Sequence, residues 1–75
     1  MDLKDFIERF EAQLEDITPG SITADTRFRE LQEWDSMTAL AIIAMVDHKY
    51  NKILTGDDIV GAETVGALFN TIAAK

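Results

Sequence analysis

The 75-residue chain has no cysteine and only one histidine, His48, and each scarcity excludes a class of protein. Without cysteine there is no disulfide bond and no thiolate metal site, and we expect no bound metal. The longest apolar stretch, residues 37–46, is shorter than the about 20 residues that a membrane span needs. The N-terminus also lacks the basic and apolar regions of an export signal, so we expect a cytoplasmic protein.

Basic residues are scarce as well, and the formal net charge is −7. Residues 1–35 hold ten acids and four bases, whereas residues 36–75 hold four acids and three bases. A negative field repels phosphate backbones, so nucleic-acid binding is not expected. The acidity could equally serve only to keep a small domain in solution. Because 47% of the residues are hydrophobic, a core can form, and residues 1–75 are expected to be one monomeric domain.

Apolar residues in the first segment recur at steps of three or four, as on one face of a helix. They are Leu3, Phe6, Ile7, Phe10, Leu14 and Ile17. The spacing predicts a helix over residues 3–16, with Asp2 as its cap, ended by Pro19 and Gly20. A long connection over residues 18–35 follows. It contains four apolar residues that would anchor it to a bundle: Ile22, Phe28, Leu31 and Trp34.

The second helix is predicted to start at Ser36, with Asp35 as its N-cap. Its inner stripe is predicted to be Ala39, Ile42, Ile43, Val46 and Tyr50. Five further apolar residues lie largely on the other side: Met37, Leu40, Ala41, Ala44 and Met45. A helix that is apolar nearly all round is either fully buried or presents an interface, so this second set forms either an exposed binding face or extra core.

Two shorter helices are predicted in the last third of the chain. Thr55 is expected to cap a short third helix that Gly61 ends, and Thr64 is expected to cap a fourth. The apolar stripe of the fourth helix is Val65, Leu68, Phe69 and Ile72. No alternating strand pattern competes, so the predicted fold is all-α. It is a small four-helix bundle with three longer helices, one short third helix and a long first loop.

Ser36 stands at the predicted start of an apolar helix, where its side chain should be exposed. A serine nucleophile needs a base within hydrogen-bonding reach. His48 lies further along the same helix, about 18 Å away at 1.5 Å per residue. We therefore expect no self-contained enzyme. Taken alone, Asp35 and Ser36 could be nothing more than capping residues.

The stretch over residues 31–50, LQEWDSMTALAIIAMVDHKY, resembles the modification region of acyl carrier proteins. The resemblance extends to the helix layout of essentially the whole chain and identifies a carrier of the stand-alone type. In that family the serine of an Asp-Ser-Leu triplet receives 4′-phosphopantetheine. The resemblance implies that Ser36 holds this arm, with Asp35 beside it, and that acyl groups travel as thioesters on its thiol. It also implies, as partners, a phosphopantetheinyl transferase and the acyl-transferring and chain-elongating enzymes of fatty-acid or related secondary metabolism.

Three departures distinguish the chain from the family pattern. Gln32, Glu33 and Trp34 stand where the family has Leu-Gly-x, and Met37 replaces leucine. The family's second helices are typically acidic, whereas this one has a single acid, Asp47. Hydrophobic contacts from the outer face of the second helix are therefore expected to do more of the docking. A polar rim would be formed by Glu30, Glu33, Asp35, Asp57 and Asp58.

Two questions stay open at this point. Four apolar residues could line an acyl pocket or could be ordinary core: Phe28, Val46, Ile59 and Leu68. Trp34 could pack against the loop or contact the arm or a partner. The function also has two alternatives, a carrier for an amino acid and a small acidic adaptor that binds proteins through the apolar face of the second helix.

Overall fold

The computed structural model describes residues 2–75, which form four α-helices and no strand. The helices are α1 (Leu3–Ala12), α2 (Ser36–Tyr50), α3 (Gly56–Gly61) and α4 (Val65–Ala73). A single 3₁₀ turn, Phe28–Glu30, interrupts the long loop between α1 and α2. The predicted all-α bundle is confirmed. Within the described residues, no helix has both the length and the apolar character needed to cross a membrane.

The prediction that the first helix reaches residue 16 is wrong, because α1 ends at Ala12. After Ala12 the backbone continues in turns with hydrogen bonds across three residues. The N–H of Leu14, for example, donates to the carbonyl of Glu11 at 3.0 Å. Asp16 then takes a left-handed conformation with φ of 57°. Leu14 still reaches the core from these turns. An apolar residue at helical spacing can therefore reach the core from a turn, and the spacing alone does not show that the helix continues to residue 16.

Three of the four predicted cap residues make a side-chain hydrogen bond to the start of their helix. The side chains of Asp35, Thr55 and Thr64 each accept a hydrogen bond from the backbone N–H three residues further on. At Thr55 the carboxylate of Asp58 also accepts from the backbone N–H of Thr55, which completes a capping box. At α1 Asp2 also occupies the predicted cap position, but its side chain makes no capping hydrogen bond.

One apolar core joins α1, the long loop, α2, α3 and α4. Its largest fully buried side chains are Phe6, Phe10, Phe28, Ile42, Leu68, Ile72, Val46 and Val65. Their burial is the main stabilising contribution in so small a domain.

The long loop is fixed to the bundle by backbone as well as by its apolar anchors. Gly20 donates its N–H to the Glu11 carboxylate at 3.0 Å, and the Ala24 carbonyl accepts from the N–H of Gly66 at 2.8 Å. At Gly66 a Cβ atom would lie only 3.0 Å from the Ala24 carbonyl oxygen, so a larger residue would require Ala24 to move by a few tenths of an ångström. Of the predicted anchors, Ile22 and Phe28 are buried, and Leu31 and Trp34 pack partly buried against the core. The loop thereby holds the start of α2 in a defined place.

Candidate functional site

Asp35 fixes the point at which α2 begins. Its carboxylate accepts the backbone N–H of Thr38 at 2.8 Å and the Thr38 hydroxyl at 2.9 Å. These hydrogen bonds, the backbone one above all, hold the pKa of the Asp35 carboxyl below its ordinary value. Asp35 is therefore an ionised structural cap, and the next residue is the first of the helix.

Ser36 is that first residue, and it is exposed. The hydrogen bonds of this turn run between Asp35 and Thr38 and leave the Ser36 hydroxyl to the solvent. The start of a 15-residue helix carries unpaired N–H groups and partial positive charge, which favour an anion. The exposed His48 lies about 18 Å along the helix. His48 is therefore too far away to accept a proton from the Ser36 hydroxyl.

An open groove of about 400 Å³ lies beside Ser36, between α2 and α3. Its walls are almost entirely apolar, and two of the wall residues, Leu40 and Val60, are 61% and 66% exposed. The residues that line the groove with Ser36 are Arg29, Trp34, Ala39, Leu40, Ile43, Gly56, Ile59 and Val60. The hydroxyl is thus next to a surface that favours apolar ligands.

Trp34 takes part in both the core and the groove. Its ring stacks on Phe10 with centroids 6.1 Å apart and meets Phe28 edge-on at 5.0 Å. The same side chain lines the groove beside Ser36. The packing alternative considered for Trp34 therefore holds, and the residue is also positioned to contact a molecule in the groove.

The four residues considered for an acyl pocket all lie in the core. Phe28, Val46 and Leu68 are fully buried there, and Ile59 is nearly so. Among them only Ile59 lines the groove beside Ser36. In this structure the other three pack as core, because each comes from a different element and fills the centre of the bundle.

The predicted outer face of α2 divides into exposed and buried members. Met37 is 73% exposed, Leu40 and Ala44 are exposed, and Ala41 is partly buried. Met45 is only 7% exposed, so its assignment to this face is corrected. The reason is the helical spacing of Thr38, Ile42 and Met45, which turns all three toward the core. We use "apolar face" below for Met37, Leu40, Ala41 and Ala44.

The acids expected around this face have different surroundings. Glu30 is exposed and pairs with Arg27 at 3.5 Å, whereas Asp57 lies exposed in the first turn of α3. Asp58 belongs to the α3 capping box and also pairs with Lys75 at 2.9 Å, which together lower its pKa. Glu33 and Asp35 line a second cleft, together with Met37.

Two charged residues near Ser36 were missed by the sequence analysis. Glu15, which follows the end of α1, lines the cleft with Glu33 and Asp35. Arg29 lines the apolar groove. The only signal for Arg29 in the sequence is that it is the one base between Phe28 and Asp35.

The comparisons with known proteins agree with this arrangement. A family model described as "Phosphopantetheine attachment site" matches residues 5–72. Searches among curated proteins and among solved structures find no match. An accessible serine at a helix start, with an open groove beside it, leaves room for a covalently attached arm. The chain therefore belongs to the family of carrier domains that bear covalently attached 4′-phosphopantetheine.

Proposed function

We propose that Ser36 is the residue that carries the 4′-phosphopantetheine arm. The observation that supports this most directly is the exposure of Ser36 as the first residue of α2, beside an open groove. The Asp35 cap keeps the helix start in place without using the Ser36 hydroxyl. A transferase would thus meet an accessible hydroxyl on a rigid element.

In this proposal residues 1–75 act as one monomeric acyl carrier domain. Acyl groups form thioesters with the thiol at the end of the arm and are delivered to acyl-transferring and chain-elongating enzymes of fatty-acid or related secondary-metabolite biosynthesis. The carrier contributes a tether, which raises the effective concentration of the acyl group at a partner's active site. The apolar walls of the groove favour an acyl chain over an amino acid, because a charged amino group would lose hydration there.

The partner enzymes are proposed to dock on the apolar face, with Met37 and Leu40 as its most exposed large side chains. α2 has no acid in its first turn, and His48 and Lys49 lie in its last turn. Attraction to a basic partner surface would therefore come from the rim acids on either side, Glu33 and Asp57 among them. In this proposal the apolar face supplies most of the free energy of partner binding, and the rim acids supply the smaller part.

The attachment site is tested by incubating the protein with coenzyme A and a broad-specificity phosphopantetheinyl transferase and then measuring its mass. Wild type should gain one phosphopantetheine and Ser36→Ala none. Ser21 is the matched control, because it is the chain's other serine and is also exposed. Ser21→Ala should be modified like wild type. Unmodified wild type would contradict the proposal and favour the adaptor alternative.

A further inference from the structure

Arg29 is the one charged residue among those that line the groove beside Ser36. The chain has twice as many acids as bases, yet the charged residue at this groove is a base. Its side chain is held on two sides. One guanidinium nitrogen donates to the carbonyl of Ala62 at 3.1 Å, and the guanidinium carbon lies 6.0 Å from the centre of the Phe28 ring.

These contacts orient the guanidinium but leave most of its hydrogen-bonding capacity unused. An arginine has five N–H donors, and the contact with Ala62 involves one terminal nitrogen. Within residues 2–75 the ion pairs closer than 4 Å involve Arg9, Arg27 and Lys75 but not Arg29. Glu30 and Glu63 line a neighbouring cleft with the same side chain, but Glu30 pairs with Arg27 and neither acid is among the ion-paired partners of Arg29. Arg29 is thus an exposed side chain that two contacts orient and that has no ion pair closer than 4 Å within residues 2–75.

The chemistry of the groove indicates which ligand would use such a cation. Beside apolar walls a charge interacts more strongly than in open water, and a guanidinium matches the paired oxygens of phosphate or carboxylate. If Ser36 carries the arm, a phosphodiester is joined directly to the Ser36 oxygen at the edge of this groove. A carboxylate at the far end of a dicarboxylic acyl group would be a second source of the same chemistry.

We propose that Arg29 binds an oxyanion of the loaded arm, and so is a positioning residue for the prosthetic group. The proposal rests on the attachment of the arm to Ser36. Pairing with Arg29 directs the first part of the arm along the groove between α2 and α3, toward Leu40 and Ile59. An arm without this contact extends into solvent from Ser36.

The test uses the intact chain, with and without the arm, as Arg29→Gln, Arg29→Lys and a matched control. Lys49→Gln is that control, because it also removes one positive charge, and Lys49 is exposed and does not line the groove. Uptake of the arm is first checked by mass. The phosphorus-31 resonance of the arm and the Arg29 Nε–Hε resonance are then recorded. Wild type is also loaded with acetyl and with malonyl groups.

We expect the Arg29 Nε–Hε resonance to shift when the arm is added. Arg29→Gln should shift the phosphorus resonance, Arg29→Lys should give a smaller shift, and Lys49→Gln should leave the resonance unchanged. About 1 M salt should weaken the effect. Shifts with the free-thiol arm identify the phosphodiester as the anion, and shifts only with malonyl identify the acyl carboxylate. Uptake without any such shift overturns this proposal alone, whereas failure of wild type to take up the arm overturns the proposed function as well.

Discussion

Ser36 begins α2 and Tyr50 ends it, and their hydroxyl groups meet different surroundings. The Ser36 hydroxyl is exposed beside an open groove. The Tyr50 hydroxyl donates to the Asp5 carboxylate of α1 at 2.7 Å, and the same carboxylate accepts from Arg9 Nε at 3.0 Å. The end of the helix is therefore bound to its neighbour, whereas its start is left accessible.

Packing around the two ends differs in the same way. Phe6 is fully buried under the end of α2, with its ring 6.2 Å from that of Tyr50 and 5.7 Å from that of Phe69. Near the start, Met37 and Leu40 project into solvent. The two ends of α2 therefore differ in how far they are packed against the rest of the molecule. The last turn is packed and hydrogen-bonded against α1, and the first turns expose the Ser36 hydroxyl and apolar surface that the proposed function uses.

The largest effect is expected from a change beneath the end of α2. Phe6→Ala should lower the free energy of unfolding by about 3–5 kcal/mol, since it removes a fully buried aromatic ring. Leu40→Ala, near the start, should change it by less than about 0.5 kcal/mol because Leu40 is exposed. Urea denaturation followed by circular dichroism measures both, and Phe6→Leu gives a milder variant if Phe6→Ala does not fold. Similar losses for Leu40→Ala and Phe6→Ala would contradict the comparison.

A smaller effect is expected on docking. Leu40→Ala should lower kcat/KM for modification by the transferase by about tenfold, equivalent to about 1.4 kcal/mol, because it removes apolar contact next to Ser36. Val60→Ala tests the facing wall of the groove, and Ile53→Ala is the control, since Ile53 is 74% exposed but does not line the groove. If moderate salt abolishes modification while Leu40→Ala barely changes it, rim charges rather than the apolar face dominate docking.

The smallest effect is expected from Tyr50→Phe, which removes one hydrogen bond between α2 and α1. It should lower the free energy of unfolding by about 1 kcal/mol and leave the rate of modification at Ser36 unchanged. Thermal melts and the mass assay measure the two quantities. A marked fall in the modification rate would show that the two ends of α2 are coupled.

The same variant has a pH signature. Burial, with the hydrogen bond to Asp5, raises the pKa of Tyr50 to about 12, above the ordinary value of about 10. The folded state therefore keeps the proton to higher pH than the unfolded chain does. The resulting stability is fully present below pH 10 and is lost as the pH rises from about 10 to about 12. The stability difference between wild type and Tyr50→Phe should shrink over that range, and a constant difference would contradict the assignment.

Helix starts could be predicted from the sequence because capping is local. The hydrogen bonds from Asp35, Thr55 and Thr64 each span three residues, so residue type and spacing are enough to place them. The same locality identified Ser36 as the first residue of an apolar helix. The end of α1 could not be predicted, because Leu14 keeps the helical spacing while lying in a turn.

Gly66 illustrates how tertiary contact changes the meaning of a residue. In the sequence it is a weak point in the first turn of α4. In the structure its missing side chain admits the Ala24 carbonyl, which accepts its N–H at 2.8 Å. A contact across so many residues leaves no mark in local spacing. For the same reason the position of Arg29 in the groove was missed.

The helical class, the helix starts and the candidate serine follow from sequence patterns, because periodicity and capping act within a few residues. The burial of apolar side chains along α2, the end of α1 and the surroundings of Ser36 become visible in the folded chain. Those outcomes depend on how α1, the long loop and α3 pack against α2. Packing joins residues far apart in the chain, and no short pattern of residues encodes it.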